Sequence, residues 1–428
     1  MRWRKRRNRR RWLPRLRPFA GRRLPKPLRA ENVSRLAAAL PKGIADPGLE
    51  HLLTRIKTSP VLSGNHVTVY TDGTEAFESM LAAIDSAVEE VLLEAYIFRD
   101  DATGLAFRDA LSRAADRGAA VRVLADAFGS YETRAEFWTS LKSRNVEVRP
   151  FHPLLARIWD WAFRDHRKIL VVDRRIGFTG GMNIGVEYGS SRRSPRRARG
   201  PRSWRDTQVR VQGPTAWEMA IVFGEGWSRS GGGALDLPPL TAEDAPGARV
   251  LTLDTRPGRG TDELVSILTA VLAAARQRLW ITNAYFAPRR RAIERLEAAV
   301  KRGVDVRLLL PGLSDVPIVR HAAHGYFQAL LEGGVRIFEY QAAILHAKSL
   351  VADDRVGVVG STNLDYRSLH LNAECNLVIL DPKTAARLGR AFETDLEHSR
   401  EIGIDDWRRR SLRHKIGDQC ARCLAPVL

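Results

Sequence analysis

"HRKILVVDRRIGFTGGMN" (residues 166–183) and "HAKSLVADDRVGVVGSTN" (residues 346–363) share one skeleton: His, Lys, Leu, Val, Asp, Arg, two Gly and a final Asn recur at identical spacing. Alternate residues of a strand project to the same face. His166 and Lys168 therefore stand side by side at the mouth of an apolar run, and so do His346 and Lys348. A buried strand is normally apolar throughout, so a pair of potential cations at its mouth needs an anion as its reason. A duplication of this kind also decides the architecture before any single element does.

Outward from each copy the flanking sequence repeats as well. "AFESMLAAIDSAVEEVLLEAYIFRDD" (76–101) and "GLAFRDALSRAADRGAAVRVLADAFGS" (104–130) precede the first copy. "ELVSILTAVLAAARQRLWITNAYFAPRR" (263–290) and "AIERLEAAVKRGVDVRLLLPGLSD" (292–315) precede the second. Each pair reads as an amphipathic helix, a strand ending in an aromatic corner (Tyr96, Tyr285), a second helix and a second strand. Gly118 and Gly303 fall where a helix closes on a left-handed residue. The alternation predicts an α/β protein of two α/β/α domains in a pseudo-twofold arrangement, each with a mixed, largely parallel sheet flanked by helices. The expected boundaries are a basic arm at 1–44, a first domain at 45–229, a second at 250–402 and a tail at 403–428. "SGGGALDLPPLTAEDAPGAR", residues 230–249, is Gly/Pro-rich and reads as the linker.

The formal net charge of +20 suggests nucleic acid until it is located. Residues 1–30 carry fourteen Lys/Arg and no acid, and the stretch between Glu187 and Asp206 carries seven Arg and no acid. The rest of the chain is near neutral, so a nucleic-acid groove within the fold, and a nucleic-acid partner, are not expected. Trp3, Trp12, Leu13, Leu16 and Phe19 interleave with the arginines of the arm. Tryptophan favours the headgroup region, and each basic residue near an anionic bilayer contributes about 1 kcal/mol. The arm thus reads as docking to an anionic phospholipid surface. No run of about 18 apolar residues occurs, so no transmembrane helix is expected. The N-terminus lacks the apolar core of a signal peptide, and three cysteines form no disulfide framework. The expected location is the cytoplasmic face of the cell membrane, peripherally bound.

If the pseudo-twofold brings both copies together, two histidines and two lysines surround one site. One imidazole can attack while its twin donates a proton to the leaving group. Two lysines at about 4 Å from an anion, at an effective dielectric near 20, contribute on the order of 4 kcal/mol each. Asn183 and Asn363 add amide donors, and glycines allow close backbone approach. The natural occupant is a tetrahedral phosphoryl group. No His/Cys/carboxylate cluster accompanies the motif, so neither a metal nor another cofactor is implied. Cys420 and Cys423, with only His414 nearby, lack the four ligands of a zinc site, and His321 and His324 read as structural.

Two copies of H-x-K-x4-D, each followed by a Gly-rich corner and an asparagine, resemble the phospholipase D superfamily. "YIFRDDATG", "DHRKILVVD", "GGMNIGVEY", "LHAKSLVADD" and "GSTNLDYRSLHLNAE" are similar to bacterial cardiolipin synthases, in the subgroup without transmembrane helices. The resemblance implies transfer of a phosphatidyl group from phosphatidylglycerol to a second phospholipid hydroxyl through a phosphohistidine, releasing glycerol. It implies His166 as nucleophile, His346 as acid and base, and Lys168, Lys348, Asn183, Asn363, Ser361 and Gly181 around the phosphate. Asp173 and Asp353 complete the two triads, where they suit the turn better than the substrate. Asp206 and Glu374 match the family's histidine-orienting acids in a crossed pattern, Glu374 serving His166 and Asp206 serving His346. Gln208 stands where many relatives carry a histidine. A hydrolytic phospholipase D and a nucleic-acid phosphodiesterase would use the same residues. Trp159, Trp161 and Phe163 are candidates for an apolar entrance that favours transfer over hydrolysis.

Overall fold

The computed structural model describes residues 30–57, 59–152, 163–189, 204–240, 245–258 and 260–424. The arm through residue 29, the Arg-rich stretch 190–203 and Trp159 and Trp161 lie outside the described residues.

In the first half, Glu90–Ala95, Ala120–Asp126 and Glu147–Phe151 pair in parallel, linked through the helices Ala102–Asp116 and Ala135–Lys142. The chain then enters Ile169–Val172, antiparallel to Glu90–Ala95, and returns as Ile176–Gly180. Gln208–Gln212 and Leu62–Tyr70 extend the sheet, again antiparallel. The second half repeats this with Arg278–Thr282, Asp305–Pro311 and Arg336–Tyr340 in parallel, and Ser349–Ala352, Val356–Gly360, Asn372–Leu380 and Ala248–Thr255 antiparallel. The halves join edge to edge where Leu62–Tyr70 meets Ala248–Thr255, giving one continuous sheet.

The expected mixed sheet is present, with helices on it, but "largely parallel" needs correction. Among the described residues, parallel pairing in the main run of each half is confined to three consecutive strands, and in the second half Ser399–Glu401 adds an antiparallel edge beyond them. The turns at 173–175 and 353–355 set one antiparallel pair in each half, because a link that short permits only an antiparallel return.

Composition assigned residues 30–44 to the arm, yet here the Arg/Pro-rich text gives way to an amphipathic pattern. Helix Ala30–Ala39 and helix Pro47–Ile56 pack on the second half, with Leu40, Leu49, Leu53 and Ile56 in its core. Arg276 fixes this arrangement by donating to the carbonyls of Ala37 at 2.8 Å and Leu40 at 2.6 Å. At the other end, helix Leu412–Cys423 packs on helix Pro317–Glu332. His321 Nδ1 meets Asp418 at 2.9 Å and His324 Nε2 meets Glu339 at 2.8 Å. Both histidines have carboxylate partners that the sequence reading lacked, and the ligand atoms of His321, His324 and Asp418 lie within 4.8 Å of one another. Cys420 and Cys423 are exposed free thiols.

Two buried arginines of the first half lock the seam. Arg167 donates to the Thr255 carbonyl at 3.1 Å and lies 3.7 Å from Glu94. Arg205 clasps Asp395 through Nε at 3.1 Å and a terminal nitrogen at 2.8 Å. Such bidentate pairs are specific in geometry as well as strong.

Candidate active site

The two motif segments are brought together by exchange. Arg164–Asp165 runs parallel to Asn372–Ala373 of the other half, and Ile344–Leu345 runs parallel to Trp204–Arg205. His166 N donates to the Ala373 carbonyl at 2.9 Å, and His346 N donates to the Arg205 carbonyl at 2.8 Å. Each histidine is thereby set beside the residue that follows its partner carbonyl. Those residues are Glu374 and Asp206.

The crossed pairing follows directly. His166 Nδ1 lies 3.0 Å from Glu374 Oε2, and His346 Nδ1 lies 2.6 Å from Asp206 Oδ2. With both Nδ1 atoms engaged, Nε2 is the nitrogen each ring offers to the pocket. Lys168 Nζ donates to the His166 carbonyl at 2.7 Å, and Lys348 Nζ lies 2.9 Å from His346 Nδ1. All four side chains are buried.

The electrostatics are asymmetric. Burial lowers the pKa of His166 well below the ordinary value, and Lys168, Lys348 and His346 push it further. Burial and Lys348 also lower His346, but there the Asp206 charge works in the opposite direction. His346 thus holds a proton more readily than His166. Burial takes Lys168 down to about 7 and Lys348 to about 8, and it raises Glu374 to about 8 against the pull of Lys168 and Ser361. An empty pocket disfavours two ammonium groups, and an anion between them reverses that penalty.

Gly181 and Ser361 occupy matching positions and show the same asymmetry. A Cβ on Gly181 would lie 2.1 Å from Asp206 Oδ1, so no side chain fits. Ser361 has room, and its hydroxyl donates to Glu374 Oε2. Asn183 and Asn363 close the two corners: their side-chain oxygens accept from Ile97 N at 3.2 Å and Tyr285 N at 3.3 Å. The Asn183 amide donates to Tyr188 Oη at 2.6 Å. That amide positions the ring.

Asp173 and Asp353, counted with the triads in the sequence, stand at the far ends of their strands and are corrected to turn residues. Asp173 accepts from the backbone nitrogens of Val88 (3.0 Å), Glu89 (2.7 Å) and Glu90 (2.8 Å). Asp353 does the same for Arg276, Gln277 and Arg278. Both turns hold two consecutive residues at positive φ (Asp173–Arg174 and Asp353–Asp354), a conformation that Asp tolerates. Asp173→Ala should lower stability by about 1–2 kcal/mol through loss of the charge-assisted hydrogen bonds that fix the turn. Below the midpoint of unfolding, turnover per folded molecule should stay within about twofold, since the carboxylate is remote from the pocket. Urea melts combined with activity of the folded fraction check this. A normal melt with lost turnover would return Asp173 to the chemistry.

An aromatic shell was not singled out in the sequence. Tyr96 meets the His166 ring edge-on at 5.0 Å, while Trp204, Tyr188 and Tyr285 surround His346 at 4.9, 5.7 and 6.1 Å. The strand-end tyrosines were visible as corners. Trp204 was signalled by its place two residues before Asp206. Phe163 is half-buried, and its carbonyl lies 3.1 Å from His152 Nδ1.

Comparison with known proteins bears on the family and the fold. A family model described as "Cardiolipin synthase, PLD-like domain" matches residues 80–190 and 268–396. Cardiolipin synthase 1 of Bacillus anthracis is 31% identical over 396 residues, covering 89% of this chain and 76% of that protein. Cardiolipin synthase A of Pseudomonas putida is 35% identical over 385 residues, covering 88% and 78%. Among solved structures, a phosphatidylserine synthase of Haemophilus influenzae superposes with a TM-score of 0.69 at 14% identity, covering 89% of this chain and all of that one, a likeness of fold.

Proposed function

The chain belongs to the PLD-like cardiolipin synthase family, and on that premise we propose that it transfers a phosphatidyl group from phosphatidylglycerol to the hydroxyl of a second phospholipid. It is an enzyme of phospholipid synthesis, and the observation that carries the mechanism is the crossed pairing of His166 with Glu374 and His346 with Asp206.

His166, kept neutral by burial, attacks phosphorus through Nε2, and the P–O bond to glycerol breaks. His346 gives that oxygen its proton, so glycerol leaves and a phosphatidyl-histidine remains. His346, now neutral, takes the proton from the incoming hydroxyl, whose oxygen displaces His166. Lys168 and Lys348 neutralise the phosphate oxygens, a preorganised charge stabilisation of the kind that dominates such reactions. Asn183, Asn363, Ser361 and Gly181 shape the corners behind it. Asp206 and Glu374 orient the imidazoles and support their charge as it develops, which makes them positioning residues.

Among the described residues no helix is long and apolar enough to cross a membrane. Access to lipid is assigned to peripheral docking on the anionic cytoplasmic face, supported by the Trp- and Arg-rich composition of residues 1–30.

Purified protein supplied with phosphatidylglycerol vesicles should yield cardiolipin and free glycerol, identified by mass. Phosphatidic acid as sole product would replace transfer by hydrolysis, and no lipid product at all would end the assignment.

A further inference from the structure

The duplication makes one half a control for the other. Between the first half's helices Gly73–Asp85 and Ala102–Asp116, Phe77 and Phe107 meet edge to face at 5.5 Å, both buried. Phe107 lies eleven residues before Gly118, and the residue eleven before Gly303 is Ala292. Across from Ala292, helix Thr261–Ala274 presents Val265. Two rings are missing from this half, and a slot of about 160 Å³ stands in the gap.

The slot is largely apolar, walled by Val265, Leu268, Phe286, Leu296, Leu364 and Leu369, with the buried side chains of Thr269 and Arg295 also in its lining. Its rim carries Arg289, Arg291 and His370 against one carboxylate, Asp262, and the Arg289 guanidinium lies 5.1 Å from the Tyr366 ring. Inward, the slot shares Leu268, Ile281, Leu350 and Leu364 with a recess of about 40 Å³ that reaches Lys348. Together they lead from a cationic outer rim toward the strand that carries Lys348. A cavity that is merely a packing defect has no reason to carry arginines at its mouth.

We propose that this slot holds one acyl chain of an anionic phospholipid, with its phosphate on Arg289 and Arg291. The site rests on the phospholipid reading of the chain and extends it. An acyl chain matches the largely apolar lining, and the rim supplies the charge complementary to an anionic headgroup. Occupancy would bring a lipid out of the bilayer beside the second motif.

The test is equilibrium dialysis of the full chain with palmitoyl lysophosphatidylglycerol, below its micelle concentration, with hexanoyl lysophosphatidylglycerol and palmitate as comparison probes. The parent protein should bind one equivalent of the palmitoyl lipid. Each buried methylene is worth about fourfold in affinity, so the hexanoyl lipid, which buries fewer of them, should bind more weakly. Ala292→Phe, which restores the residue of the first half, should weaken binding at least tenfold (an expected threshold) while the protein still melts cooperatively. Arg291→Glu, at an exposed position, should weaken it severalfold in a salt-sensitive way. Absence of binding to the parent overturns the proposal, as does unchanged affinity in a folded Ala292→Phe protein. Should that variant fail to fold, unchanged affinity in Arg291→Glu overturns it. Palmitate binding as tightly as the phospholipid would transfer the site to free fatty acid, against the proposal. Binding here needs no turnover, so a failed slot and a failed transferase reading are separate results.

Discussion

His166→Ala should abolish turnover, a loss of about 10⁴-fold or more, because no other group can carry the covalent intermediate. His346→Ala should fall by a similar factor, since neither glycerol departure nor hydroxyl activation has another proton carrier. The double variant should be no slower than either single one, the signature of residues that act as a unit. Steady-state rates on phosphatidylglycerol vesicles check all three. Multiplying losses would mean that the two histidines act independently, and full activity in His346→Ala would remove the acid–base assignment. The pH profile carries a sign as well. Burial and the two lysines lower the His166 pKa well below the ordinary histidine value, so the neutral nucleophile persists into mild acid. The acid limb of kcat/KM should therefore fall below pH ~6.5, the reference for an unperturbed imidazole.

Glu374→Gln and Asp206→Asn should each cost about 10²–10⁴-fold, as loss of an orienting carboxylate does elsewhere, but they should differ in kind. The Asp206 charge raises the His346 pKa against burial. Removing it should move the alkaline limb of the profile to lower pH, because His346 sheds its proton sooner. Glu374 supports His166 and the Ser361 hydroxyl, so Glu374→Gln should slow the attack and leave that limb in place. Identical profiles for the two variants would contradict the crossed roles. A purely structural effect would lower stability and rate without moving either limb.

Much of this site was legible because it was written twice. The matched spacing of His166, Lys168 and Asn183 against His346, Lys348 and Asn363 raises the expectation of one shared anion site, and the family pattern supplies Glu374 and Asp206. What the sequence hid depends on distances along the fold. The carboxylates of Asp173 and Asp353 look catalytic in a linear motif, yet seven positions along a strand carry them to the opposite end of the sheet. Asp418 reaches His321 only through packing of the C-terminal helix, and Glu339 reaches His324 from the strand that follows the histidine's own helix, neither of which local periodicity encodes. Sheet direction was misjudged because helix–strand alternation suggests crossovers, whereas the hairpins at 173–175 and 353–355 set one antiparallel pair in each half. Tyr96 and Tyr285 align by eye, but hydrogen bonds to Asn183 and Asn363 pair Ile97 with Tyr285. A shift of one residue is invisible without the partner corner.

The most direct test is to locate the covalent intermediate. Protein mixed with phosphatidylglycerol, quenched under denaturing alkaline conditions within one turnover and digested, should carry the phosphatidyl mass on the peptide containing His166. The His346 peptide should remain unmodified, and the adduct should vanish in His166→Ala. A phosphatidyl group on His346 with His166 free, or turnover with neither ring modified, would contradict the account.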